Sequence, residues 1–153
     1  MSSESTEVRT GWYRDRRGAE AVAVTAESGR RTAVRVRGVE YAGTRLDALT
    51  AAEADGGLPL ADCVLEWDLP LPVALADGSV QPATLCCLLA LGEPASDGTP
   101  ERVDLQLTLH WGGAAYESGL AGGDFEQALD RVRRQLPPGT RFERAGAPAA
   151  ASV

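Results

Sequence analysis

At 153 residues, 44% hydrophobic and with a formal net charge of −7, the chain has the size and make-up of one globular domain able to bury its own core. No apolar run approaches the roughly 20 residues of a membrane-spanning helix, and a pI near 4.7 argues against nucleic acid as a partner. The polar start with its two glutamates lacks a secretory signature, and an odd count of three cysteines is a poor disulfide framework, so a cytoplasmic location is expected.

In chain order, residues 1–8 are expected to be a disordered tail, 9–144 a single α+β domain, and 145–153 a disordered Ala/Pro tail. Residues 11–14 and 20–25 read as a hairpin, with Val22 and Val24 on one face. Ser28-Gly29 marks a turn, and 32–39 then alternates, Val34 and Val36 against Arg31, Arg35 and Arg37. Arginines spaced in this way usually form a solvated face. Residues 46–60 read as a loop, because Asp55-Gly56-Gly57 ends the brief periodicity of Leu46, Leu49 and Ala52.

The clearest hairpin signal joins 62–76 to 79–91 through Asp77-Gly78, taken as a two-residue turn with positive φ at both positions. Cys63, Leu65, Trp67 and Leu69 share one strand face, and Val64, Glu66 and Asp68 the other. Pro70 and Pro72 cannot donate ladder hydrogen bonds, so the strand bends there or lies at an edge. Residues 84–91 are apolar on both faces, which predicts a central strand covered on both sides. Residues 92–100 are rich in turn formers and read as a loop.

Residues 101–138 carry the most regular pattern. Val103, Leu105, Leu107, Leu109 and Trp111 alternate with Arg102, Asp104, Gln106, Thr108 and His110. A glycine-rich loop is expected over 112–123, after which Phe125, Ala128, Leu129, Val132 and Leu136 recur at helical spacing. Asp124 stands at the N-cap with Gln127 three residues on, and Pro137-Pro138-Gly139 is a stop. Residues 140–144 make a short last strand. The expected fold is α+β: an antiparallel, meander-like sheet of about six to eight strands with one C-terminal α-helix packed on it.

No catalytic, metal or nucleotide motif emerges, and neither a cofactor nor a catalytic residue is expected. His110 is the only histidine and falls on the polar strand face. Cys63, Cys86 and Cys87 lack metal-ligand spacing, and Cys63 and Cys87, on apolar faces, read as small hydrophobes. The 112–123 loop precedes a helix, but Asp124 and Glu126 would repel a phosphate and the chain has no lysine for a P-loop. Glu66 and Asp68, two apart on one face with Asp62 further along, could gather a cation, although the pattern is common on solvated strands.

Charge is segregated along the chain. Residues 1–45 hold nine arginines against six acids, a net of +3, whereas 46–153 hold six against sixteen, a net of −10. Between Leu46 and Glu101 there are ten acids and no base. The primary functional expectation is therefore a non-enzymatic interaction or accessory protein, an immunity protein being one instance. It would bind a basic protein partner through an acidic face that includes Asp62, Glu66, Asp68 and Asp77. The alternative is a small biosynthetic enzyme or ligand-binding β-barrel with an apolar pocket lined by Tyr13, Trp67, His110, Trp111 and Tyr116.

The absence of Lys, Asn and Ile beside abundant Ala, Arg and Gly points to a very GC-rich genome, such as an actinobacterial one. The segments Gly11-Trp12-Tyr13-Arg14-Asp15, Leu65-Glu66-Trp67-Asp68-Leu69-Pro70-Leu71-Pro72, 105–109 and Asp124-Phe125-Glu126-Gln127-Ala128-Leu129 together resemble an uncharacterised actinobacterial domain family of unknown function. The resemblance covers about residues 11–143 and implies no activity, so it carries over no site residue.

Overall fold

The computed structural model describes residues 7–27, 31–43, 49–51, 56–120, 122 and 124–143. Of the expected tails over 1–8 and 145–153, residues 1–6 and 145–153 lie outside the described residues, as do the Ser28-Gly29 turn, Leu46 and Ala52. Residues 7 and 8 begin the first strand rather than a disordered tail. Strands β1 (Glu7–Asp15), β2 (Gly18–Glu27), β3 (Arg31–Val36), β4 (Val39–Gly43) and β5 (Thr50–Ala51) pair in sequence order as an antiparallel meander. The chain then returns to the other edge of β1, where β6 (Cys63–Pro70) pairs with it. Past Pro70 and Pro72 the chain leaves this sheet as β7 (Val73–Ala74) and β8 (Val80–Gln81), then rejoins it as β9 (Thr84–Leu91) beside β6. Strands β10 (Val103–Trp111) and β11 (Ala114–Glu117) complete a nine-stranded sheet ordered β11-β10-β9-β6-β1-β2-β3-β4-β5. A helix, α1 (Phe125–Arg133), and a last strand, β12 (Arg141–Phe142), close the chain, with β12 pairing to β7 in a three-stranded second sheet.

The α+β architecture with one C-terminal helix is the expected one, but the main sheet is wider than six to eight strands. Local turn chemistry supplies the difference. Arg37 and Gly38 both adopt positive φ, 48° and 85°, and this two-residue turn splits 32–39 into β3 and β4. Gly112 and Gly113, at 63° and 80°, do the same after β10, so the front of the expected 112–123 loop is a hairpin and a strand. The expected 46–60 loop contains β5. Conversely, Asp77-Gly78 is not a two-residue turn. Only Gly78 has positive φ (91°), and the Leu75 N–H donates to the Ser79 carbonyl across a wider loop at 2.7 Å. Asp77 and Asp97 play matching parts, each accepting the backbone N–H and hydroxyl of the residue two on, Ser79 and Thr99.

The core lies on one face of the large sheet. Leu65, Leu85, Leu89, Leu105, Leu107 and Leu109 are fully buried there, each fixed on that face by period-2 alternation. Removing each such side chain from water contributes about 1.5–3 kcal/mol. Helix α1 covers the β10–β11 end through Ala128, Leu129 and Val132, while Leu49, Leu60, Leu71 and Val73 from connections and the small sheet cover the rest. The N-cap is as expected, with Asp124 accepting the Gln127 N–H at 3.1 Å. Ser118 extends the β10 ladder: its N–H donates to the Leu107 carbonyl and its hydroxyl accepts the Leu107 N–H.

At Gly11, opposite Trp67, a Cβ would stand 2.4 Å from the Glu66 carbonyl oxygen. We expect Gly11→Ala to lower unfolding free energy in urea by about 1–3 kcal/mol through overpacking. Gly122→Ala, where a Cβ meets nothing within 4 Å, should stay within about 0.5 kcal/mol of the parent.

Candidate functional site

The second face of the large sheet has no buried side chain among the described residues of its central strands. Pairing registers set its side chains in cross-strand rows. One row runs Ala19, Arg14, Val64, Ala90, Asp104. The next runs Ala21, Trp12, Glu66, Leu88, Gln106. Beside it, Ala23 opposes Thr10, and Asp68, Cys86, Thr108 and Glu117 continue the same level; the last pairs are Thr84 with His110 and His110 with Ala115. Strand 84–91 is thus apolar on both faces, but the expected second cover is absent among the described residues. Cys86, Leu88 and Ala90 are instead half-buried, flanked by side chains of β6 and β10. A shallow concavity of about 420 Å³ lies at the centre of this face, lined by Trp12, Glu66, Asp68, Cys86, Leu88, Gln106 and Thr108, among others.

Trp12 is the residue that reading the sequence missed. It is 54% exposed, an unusual state for an indole in a strand. The signal was present: adjacent Trp12 and Tyr13 must face opposite ways in a strand, and Tyr13 shares the core face with Gly11.

Of the four acidic candidates, Glu66 and Asp68 lie together on the open face. Asp62 stands before β6 with φ 57° and pairs with Arg16 at 3.3 Å, while Asp77 holds its turn. The arginines of the N-terminal third meet the acids of the middle third here. Arg14 reaches Glu66 at 3.4 Å, and Arg16 also reaches Glu93 at 3.2 Å. Asp104 pairs with Arg102 at 3.6 Å. Asp68 and Glu117 have no arginine partner among the described residues, so the surplus negative charge sits in one row.

The aromatic pocket candidates are not brought to one wall. Tyr13 and Trp67 are buried in the core, and Trp111 and Tyr116 form a tilted ring pair, centroids 6.2 Å apart, packed against the core beneath the β10–β11 turn. The Trp111 indole N–H donates to the Gln81 side chain at 2.9 Å. His110 is exposed on the opposite face. The described strands form an open sheet with β11 and β5 at its ends.

A second constellation sits at the edge of the core. Tyr13 donates to Asp15 at 2.8 Å, and the Arg37 guanidinium straddles both Asp15 oxygens at 2.6 and 3.2 Å while lying 5.4 Å from the Tyr13 ring centroid. Arg37, expected on a solvated stripe, is thus drawn inward by its turn. Its guanidinium holds the Asp15 carboxyl far below the ordinary carboxylate range, and burial together with Asp15 pushes the Tyr13 phenol up. The thiols are poor nucleophiles: burial raises Cys63 to about 12 and Cys86 to about 11, and raises Cys87 as well. Among the described residues no three His, Cys, Asp or Glu side chains gather around a metal-sized space, and no helix is long and apolar enough to cross a membrane.

Fold and site together define a class: a wide antiparallel sheet with a single-sided core and an open face bearing acids and an exposed indole. A family model described as a family of unknown function, DUF6304, matches residues 7–151, and the chain belongs to that family. No curated protein and no solved structure shows significant similarity to it.

Two outcomes test the Tyr13 cluster. Because the folded Asp15 carboxyl titrates below its unfolded value of about 3.9, its contribution is complete above that value and fades as pH falls through the folded one. Urea titrations from neutral pH to about pH 3 should show Asp15→Asn less stable than the parent at neutral pH, with a shallower acid limb. Tyr13→Phe should cost about 1 kcal/mol, the net worth of one hydrogen bond.

Proposed function

We propose that this chain is a non-enzymatic cytoplasmic interaction or accessory protein, of actinobacterial origin, that binds a basic protein partner through the open face of its sheet. One observation carries the reading: the uncovered face holds Glu66, Asp68, Asp104 and Glu117 against Arg14 and Arg102, and Asp68, without an arginine partner among the described residues, is a diagonal cross-strand neighbour of the exposed Trp12. An acidic rim around a partly apolar centre fits protein recognition, because the rim steers a basic partner while the centre supplies desolvated contact. Trp is also the residue type most enriched at binding hot spots. The three free thiols are compatible with a reducing compartment. Immunity proteins that neutralise basic toxins are one kind of protein with this chemistry.

The reading is tested with a fluorescent Lys/Arg-rich peptide in an anisotropy titration. Binding at low ionic strength should weaken steeply toward roughly 0.5 M salt, where screening shortens to a few ångströms. The Asp68→Arg/Glu117→Arg variant should lose at least about tenfold in affinity, as expected when like charges face one another. Retention indifferent to both salt and charge reversal would sink the proposal.

A further inference from the structure

Resting on that reading, we infer that the central concavity of the open face is a slot for a single arginine side chain of the partner, held between the Trp12 indole and the Asp68 carboxylate. The protein contains a related arrangement, filled, on the opposite face of the same strand, with its aromatic ring and carboxylate two residues apart on β1. There the Arg37 guanidinium lies 5.4 Å from the Tyr13 ring centroid and forks onto both oxygens of Asp15. On the open face, Trp12 opposes Glu66, and Asp68 lies two residues along β6, a diagonal cross-strand neighbour. Diagonal neighbours stand roughly 7–8 Å apart, a span that one planar cation fills.

The existing partners leave room for such a guest. Glu66 is engaged by Arg14 at 3.4 Å, whereas Asp68 has no arginine partner among the described residues. Leu88 and Cys86, half-buried on the floor, offer apolar surface to the methylene stem of the guest. Gln106 and Thr108 line the same hollow and supply further acceptors. Arginine suits the slot better than lysine, because its planar guanidinium stacks on an indole and forks onto a carboxylate at once, whereas an ammonium is a strongly hydrated point charge.

The experiment compares oligo-arginine and oligo-lysine peptides of equal length, titrated into the full chain with binding followed by anisotropy of labelled peptide. The arginine peptide should bind about three- to tenfold more tightly. That preference should vanish in Trp12→Ala and in Asp68→Asn, and persist in Trp12→Phe, which keeps an aromatic face. Amide shifts on peptide addition should centre on β1, β6 and β9. Equal affinity for the two peptides, or an arginine preference that survives both Trp12→Ala and Asp68→Asn, would overturn the slot; salt-sensitive binding of both peptides would still leave the acidic-face reading standing. Binding of neither peptide at low salt would overturn the slot and the acidic-face reading together.

Discussion

The whole sheet depends on one joint, the pairing of β1 with β6. Every strand from β2 to β5 hangs from one edge of β1, and β6, β9, β10 and β11 hang from the other. The joint is short: four registered pairs, from Gly11 with Trp67 to Arg14 with Val64. A glycine at the first pair lets the β6 backbone approach, and Tyr13 meets Leu65 on the core side. The pairs of Arg14 with Glu66 and Arg16 with Asp62 are exposed, and pairs of that kind contribute little energy. What they supply is choice of register. A one-residue slip would turn every side chain of β6 to the opposite face and would separate these charges as well. The segregation of charge along the chain, basic before residue 46 and acidic after it, is therefore partly a pairing code between the two halves.

The Tyr13, Asp15 and Arg37 cluster secures the next link outward. Asp15 ends β1 and Arg37 occupies the β3–β4 turn, so their two-pronged bond ties the ends of two hairpins across β2. The Asp15 side chain is only 11% exposed, which makes this pair costly to break on one side only. An arginine in a left-handed backbone conformation at φ 48° is consistent with that demand, since the turn sends its side chain back over the Tyr13 ring.

How much of this was legible depended on the range of the interaction. Strand alternation over 103–111, the N-cap at Asp124 and the bend at Pro70 and Pro72 are set by neighbours within a few residues, and each was readable. The two-residue strand β5 exists only because a distant strand offers it a ladder, and no local period marks it, whereas β12 falls within the short last strand expected over 140–144. Arg37-Gly38 was missed as a turn because arginine seldom takes positive φ and its partner Asp15 lies 22 residues away. The acids Glu66 and Asp68 could be placed on one strand face from spacing alone, but that Arg14 would engage the first and not the second required the β1–β6 pairing. The same pairing was needed to see Trp12 beside them.

Geometry then explains why a face stays open at all. Nine strands at about 4.8 Å spacing span roughly 38 Å, and a helix with its side chains is about 10 Å across. A single nine-residue helix covers β10 and β11, and the core beyond it is closed by pieces of connection carrying Leu49, Leu60, Leu71 and Val73. No described element remains for the other side. A face that merely had to stay wet would need only polar side chains, as at Gln106 and Thr108. Leu88 and Cys86 at its centre, with Trp12 beside them, run against that requirement. Solubility alone does not ask for an exposed indole over a partly apolar hollow; the proposed recognition of a cation with an apolar stem does.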